Sequence, residues 1–140
     1  CIVGDGECNE GQVWEAFQFA VNKNLDNLIL FIDNNKEQVD GFTKDISFAF
    51  DFEKILSAFG FMVQTVDGQN CQAISSAVDK AKASGKVSAI VLDTVKGQGD
   101  AYFENLDSCH HINFDGENQK ALENLIEKLE TELEDTLCGN

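Results

Sequence analysis

Stretches of strand length alternate with stretches of helical period along most of this chain, and that alternation leaves few folds open. The opening Cys1–Val3, then 28–33 (LILFID), 61–66 (FMVQTV) and 88–95 (SAIVLDTV) are apolar, β-branched or aromatic runs of strand length. Between them, apolar residues recur three and four apart: Val13, Trp14, Phe17, Ala20 and Val21, then Phe52, Ile55, Leu56 and Phe59, then Ile74, Ala77, Val78 and Ala81. Strand, helix, strand, helix, strand, helix, strand predicts an α/β fold: a parallel sheet with right-handed crossovers and helices on both faces. Near-continuous apolarity fits strands buried on both sides. Gly60 and Gly85 follow the second and third helical stretches closely, as glycines that end helices do. Ligands of such a sheet sit at the carboxyl ends of its strands.

A length of 140 residues suits one domain, taken as 1–140. A hydrophobic fraction of 43% with eleven phenylalanines argues for a packed globule rather than an acidic disordered tail. The net charge of −15, with no cluster of lysines, argues against nucleic acid as a partner. Five cysteines, Cys1, Cys8, Cys71, Cys109 and Cys138, form no C-x-x-C pair. That pattern fits a reducing compartment, and a cytoplasmic location is expected. No run approaches the ~18 apolar residues of a membrane span, so no membrane partner is expected. After Val95 the pattern turns polar and glycine-containing before a last helix, whose Leu122, Leu125, Ile126, Leu129 and Leu133 form one stripe among glutamates. Such a stripe is expected to pack on the core or on a second polypeptide.

The chain opens CIVGDGECNEG, with an aspartate between two glycines at the end of the first strand and just before a helix. Free backbone N–H groups at a helix start suit phosphate, and an anionic oxygen suits a hard cation that bridges phosphates. Asp-Gly also marks simple turns, so this stretch alone leaves both readings open. The second strand adds weight. It runs into Asp33-Asn34-Asn35-Lys36, and in a parallel βαβ unit the ends of the two strands emerge side by side. Asp5 and Asn35 are thereby placed to share one cation.

GDGECNEGQVWEA followed by LDNLILFIDNNKEQVDGFTKDI closely resembles the diphosphate-binding motif of thiamine-diphosphate enzymes, and specifically the N-terminal section of transketolases. The likeness continues through FDFEKILSAFGF, VQTVDG, SAIVLDTVKGQG and the histidine pair, nearly the whole chain. It implies a thiamine-diphosphate-binding fold, incomplete at the N-terminus, in which 1–140 is the diphosphate-binding core. It also implies a site residue by residue. Asp5 and Asn35 would bind Mg2+ or Ca2+ through their side chains, and Glu37 through its backbone carbonyl. Gly4, Asp5 and Gly6 would form the diphosphate turn, with the Gly6 N–H donating to the cofactor. Glu10 matches a glutamate that links the two cofactor sites across a dimer. Lys96 falls near the diphosphate, and His110 matches a histidine that contacts the diphosphate and the donor substrate; a shift of one residue would exchange it with His111. Cys109 beside the histidines does not make a zinc site, because adjacent ligands cannot all reach one tetrahedral ion.

The resemblance further implies transfer of a two-carbon ketol unit between sugar phosphates, in the carbohydrate metabolism of the pentose phosphates. The family's opening strands precede the GDG turn, so the resemblance reads this chain as a fragment. The glutamate that activates the cofactor's aminopyrimidine belongs in that family to a separate pyrimidine domain. A pyrimidine-domain polypeptide, or the remainder of the enzyme, is therefore the expected partner. A homo-oligomer is expected as well, and the chain alone is expected to be inactive. Deoxyxylulose-phosphate synthase and components of 2-oxo-acid dehydrogenases are the alternative families; ECNEGQVWEA after GDG favours the transketolases.

Overall fold

A computed structural model describes residues 1–106 and 109–138 and divides the chain into two compact units, Cys1–Lys96 and Gly97–Asn140. The first unit runs β1 (Ile2–Gly4), a turn of 3-10 helix (Glu7–Asn9), α1 (Gly11–Asn22), β2 (Ile29–Asn34), β3 (Glu37–Gln38), β4 (Gly41–Phe42), α2 (Thr43–Ile46), α3 (Phe52–Phe59), β5 (Met62–Asp67), α4 (Cys71–Ala83) and β6 (Ser88–Asp93). The second contains α5 (Ala101–Glu104) and α6 (Gly116–Cys138).

Four strands form a wholly parallel sheet in the order β1-β2-β6-β5. The four strands read from sequence are these four, each displaced by no more than two residues at either end. β6 lies inside the sheet, and its Ser88, Ala89, Ile90 and Val91 are all buried, so both of its faces are covered. Leu30, Ile32, Ala89 and Val91 pack with Phe17 and Ala20 of α1 and Phe52 and Leu56 of α3 in one core. Side chains alternate along a strand, so Ile90 faces the other way. On that side, Gln64, which pairs with Ile90 in the sheet, donates to the carbonyl of Ala77 in α4 at 2.9 Å. Ala77 and Ala81 are buried there, and their small side chains let the helix approach closely. Helices thus cover both faces, and the fold is the parallel α/β fold expected from the alternation.

Local chemistry sets the helix ends. The Asp51 carboxylate accepts from Lys54 N at 3.1 Å to start α3, and the Asn70 side chain accepts from Ala73 N at 2.9 Å to start α4. Gly60 ends α3 at φ 107°, a left-handed geometry that side chains resist. Part of the phenylalanine content is explained by the Trp14 cluster, in which the indole packs on Phe17, Phe50 and Phe59 at centroid distances of 5.4, 4.8 and 5.8 Å.

Within the second unit, Phe103 of α5 is buried and meets Phe114 at a centroid distance of 6.5 Å, while the Tyr102 hydroxyl donates to Asn118 Oδ1 at 2.7 Å. Of the two expectations for the leucine stripe of α6, packing on the core is met only in part. Leu122 and Leu125 are half-buried, but Ile126, Leu129 and Leu133 are 46%, 52% and 59% exposed. α5 is a single turn, too short to cover a helix of twenty-three residues. Among the described residues, no helix is long and apolar enough to cross a membrane.

Candidate functional site

The pairing of β1 with β2 decides what the turn after β1 can reach. Gly4 lies opposite Asp33, and the Asp5 N–H continues the ladder by donating to the Asp33 carbonyl at 3.0 Å. The GDG turn and the segment after β2 therefore leave the sheet side by side, at its carboxyl edge. Beyond β2 the chain makes a tight hairpin: β3 and β4 pair antiparallel through Glu37 with Phe42 and Gln38 with Gly41. The Asp40-Gly41 step closes it, with Gly41 at φ 135°. Lys36 takes a left-handed φ of 67°, uncommon for a residue with a side chain. That bend lets Asn35 Oδ1 accept from Glu37 N at 3.0 Å, while Asn35 Nδ2 donates to Asp33 Oδ2 at 2.9 Å. Asp33 is held from its other oxygen by the Thr94 hydroxyl at 2.5 Å, and Lys36 pairs with Asp93.

The hairpin folds back onto the GDG turn through two hydroxyls. Thr43 Oγ1 donates to Asp5 Oδ2 at 2.5 Å, and both residues are almost wholly buried, at 4% and 3% exposure. The Thr43 N–H also donates to the Lys36 carbonyl at 2.9 Å, which ties Asp5 to the Asn35 bend. One turn of α2 further on, Ser47 Oγ donates to Asn9 Oδ1 at 2.6 Å, and Asn9 Nδ2 donates to the Asp5 carbonyl at 3.3 Å. Trp14 Nε1 donates to the Cys8 carbonyl at 2.7 Å, fixing the end of the same turn on α1. Cys8 is fully buried beneath it. Burial, reinforced by the charges of Asp5 and Glu7, pushes its thiol from 9.0 up to about 12.

Of the residues singled out from sequence, the structure gathers Asp5, Gly6, Asn35 and Glu37 into this one hydrogen-bonded cluster. Gly4 carries the bond from its N–H to Glu7 Oε2 at 2.8 Å. Glu10 is exposed at the start of α1, and its side chain caps nothing there. Lys96 is the last residue of the first unit and is half-buried. His110 and His111 belong to the second unit, both exposed, on the segment between α5 and α6. Sequence reasoning missed Thr43 and Gln38. The Asp-Gly hairpin signal two and three residues before Thr43 announces the turn, but which side chains it returns to Asp5 is a matter of tertiary contact.

The cluster fits a cation and a diphosphate on its own chemistry. Asp5, Asn35 and the Glu37 carbonyl offer oxygen only, the donor set of a hard cation. One carboxylate, one amide and one backbone carbonyl make no cluster of three His, Cys, Asp or Glu, and among the described residues there is none. Burying a carboxylate costs free energy that a cation would offset, and Asp5 is almost wholly buried with the Thr43 hydroxyl donating to its side chain. Gln38 Nε2 is a buried donor with no acceptor, and its side chain crowds the Gly6 position so closely that a Cβ there would meet Gln38 Cγ at 3.0 Å.

Comparison with known proteins identifies the family. The family described as "Transketolase, thiamine diphosphate binding domain" matches residues 1–127. The 6-deoxy-6-sulfo-D-fructose transketolase subunit of Clostridium sp. (strain MSTE9) is 45% identical over 128 residues, 91% of this chain and 46% of the relative. One subunit of the apulose-4-phosphate transketolase of Actinobacillus succinogenes is 36% identical over 110 residues, 79% of this chain and 40% of the relative. This chain thus spans less than half the length of either. Among solved structures, the transketolase of Campylobacter jejuni superposes with a TM-score of 0.64 at 33% identity, covering 71% of this chain and 16% of that one.

Proposed function

This chain belongs to the transketolase family, matched on its thiamine-diphosphate-binding domain, and from that premise we propose that it supplies the metal and diphosphate anchorage of a ketol-transferring enzyme completed by a second polypeptide. The observation that carries the reading is the buried Asp5 carboxylate, presented by Thr43 at the carboxyl edge of the sheet beside Asn35 and Glu37. Asp5 and Asn35 bind Mg2+, or Ca2+, through their side-chain oxygens and Glu37 through its carbonyl. The second lone pair of Asn35 Oδ1 remains for the ion while the first holds Glu37 N. Gly6 presents its N–H to the diphosphate. Lys96 adds positive charge near it, His110 contacts the diphosphate and donor sugar, and Glu10 links the two sites of a homodimer.

Thiamine diphosphate, when bound, supplies the carbanion and electron-sink chemistry by which a two-carbon ketol unit passes from a ketose to an aldose phosphate. The work of this chain is positional: Asp5, locked by Thr43, fixes where the charged end of the cofactor sits, so that the pyrimidine end meets the partner. The two relatives just described are named as subunits, which supports a two-polypeptide assembly with the pyrimidine domain on the other chain. Their names specify a sulfo-sugar and apulose 4-phosphate, which supports a donor range wider than the common pentose phosphates. A cytoplasmic location suits sugar-phosphate substrates.

The test is ketol transfer measured with this chain, a polypeptide that supplies both the pyrimidine domain and the opening strands of the transketolase family, thiamine diphosphate, Mg2+ and sugar phosphates. Turnover is expected from the mixture, none from either polypeptide alone, and none from the mixture carrying Asp5→Ala. Undiminished turnover with Asp5→Ala would contradict the reading.

A further inference from the structure

We propose that Gln38 is a ligand-binding residue of this site, its side-chain amide donating to a phosphate oxygen of a metal-bound diphosphate seated over Gly6. The inference rests on the functional reading above and adds a residue to it. Two separate observations carry it.

The first is the approach to Gly6. Its φ of −65° and ψ of −39° are ordinary right-handed helical values that any residue adopts, so the backbone does not demand glycine there. What stands close to it is a side chain: Gln38 Cγ, Cδ and Oε1 lie 3.0, 3.3 and 3.6 Å from where a Cβ would be, so the end of Gln38 lies against the turn that follows Asp5.

The second is an unfilled valence. Gln38 Nε2 is buried and donates to nothing, the one buried side-chain nitrogen or oxygen among the described residues in that condition. Burying a donor without an acceptor costs stability, and a glutamine on a two-residue strand of a surface hairpin could escape to water. It is instead held in place. Gln38 pairs with Gly41 across the hairpin, and the hairpin is pinned to the turn by Thr43 on Asp5 and by Ser47 on Asn9. A fixed, dry N–H donor beside a buried carboxylate suits a ligand that brings both charges: a cation for Asp5 and an anionic oxygen for Gln38. A metal diphosphate does so, and a hydrogen bond to its charged oxygen is of the stronger kind.

Calorimetric titration of the full chain with Mg2+ and inorganic diphosphate, then with Mg2+ and thiamine diphosphate, tests this, alongside thermal unfolding of the same variants. Gln38→Leu, which keeps the bulk and removes the donor, is expected to weaken diphosphate binding about tenfold or more while leaving the unfolding midpoint unchanged or raised, since a lone buried donor is gone. Gln38→Glu, which turns donor into charged acceptor, is expected to weaken it further. Asp5→Asn is the control for the site itself. If wild type binds, Asp5→Asn does not, and Gln38→Leu binds within twofold of wild type, the assignment of Gln38 is overturned and the site stands. Gln38→Glu binding as tightly as wild type overturns it equally, because the amide would then act as an acceptor. If wild type fails to bind, or Asp5→Asn binds unchanged, the reading of the site itself falls and the role of Gln38 with it.

Discussion

Thr43 shows how much one hydroxyl can decide. It gives the Asp5 carboxylate a donor at 2.5 Å in a place that water hardly reaches. Replacing it by valine keeps the shape and leaves a buried charge short of that bond, at a cost of about 1–3 kcal/mol. Thr43→Ser keeps the hydroxyl and should lose less. Urea unfolding of the two variants checks this, and a larger loss in Thr43→Ser than in Thr43→Val would mean that the methyl matters more than the hydroxyl. Cys8 makes a second prediction, through pH. Its thiol ionises near 9.0 in the unfolded chain but only near 12 in the fold. The stability it contributes as a neutral buried group is therefore fully present below about 9 and is lost as pH rises from there towards 12, at up to about 1.4 kcal/mol per pH unit. The unfolding midpoint of wild type should fall across that window more steeply than that of Cys8→Ala. The same burial should leave Cys8 unreactive towards thiol reagents under conditions in which the exposed Cys1 and Cys71 react.

At the scale of elements, β6 bears most of the sheet. Ile90, fully buried in it, should cost about 2–5 kcal/mol when cut to alanine, whereas Ile2, 70% exposed on the β1 edge, should cost within about 0.5 kcal/mol. Unfolding of the two variants side by side measures the difference. This contrast explains what could be read from sequence. Strands buried on both faces write themselves as apolar runs, and α1, α3 and α4 as apolar residues three and four apart, so the α/β order was legible. The hairpin of β3 and β4 has two residues per strand and no period to detect; only Asp40-Gly41 betrays it. α5, one turn long, is equally silent. The stripe on α6 was legible as a stripe, but periodicity says which face is apolar and not what covers it. At the site, the GDG turn and Asn35 stood out because glycines and acids at strand ends carry their chemistry locally. Thr43 and Gln38 did not, because each matters only through a contact with residues more than thirty positions away.

For the whole molecule, the charge of −15 and the length relative to its relatives frame the function. A surface this acidic speaks against a phosphate-backbone partner and is compatible with the proposal that the gathered oxygens of Asp5, Asn35 and Glu37 take a cation. The activity proposed belongs to an assembly, so kinetics alone would mix the contribution of this chain with that of its partner. The central claim is narrower: that these three residues hold the cation of a bound diphosphate. Crystals of this chain grown with Mn2+ in place of Mg2+ and with thiamine diphosphate would locate the ion by anomalous diffraction. The account predicts one peak at the carboxyl edge of the sheet, at coordination distance of about 2–2.3 Å from the Asp5 carboxylate, Asn35 Oδ1 and the Glu37 carbonyl. A peak bound elsewhere, or a diphosphate seated without an ion at Asp5, would contradict it.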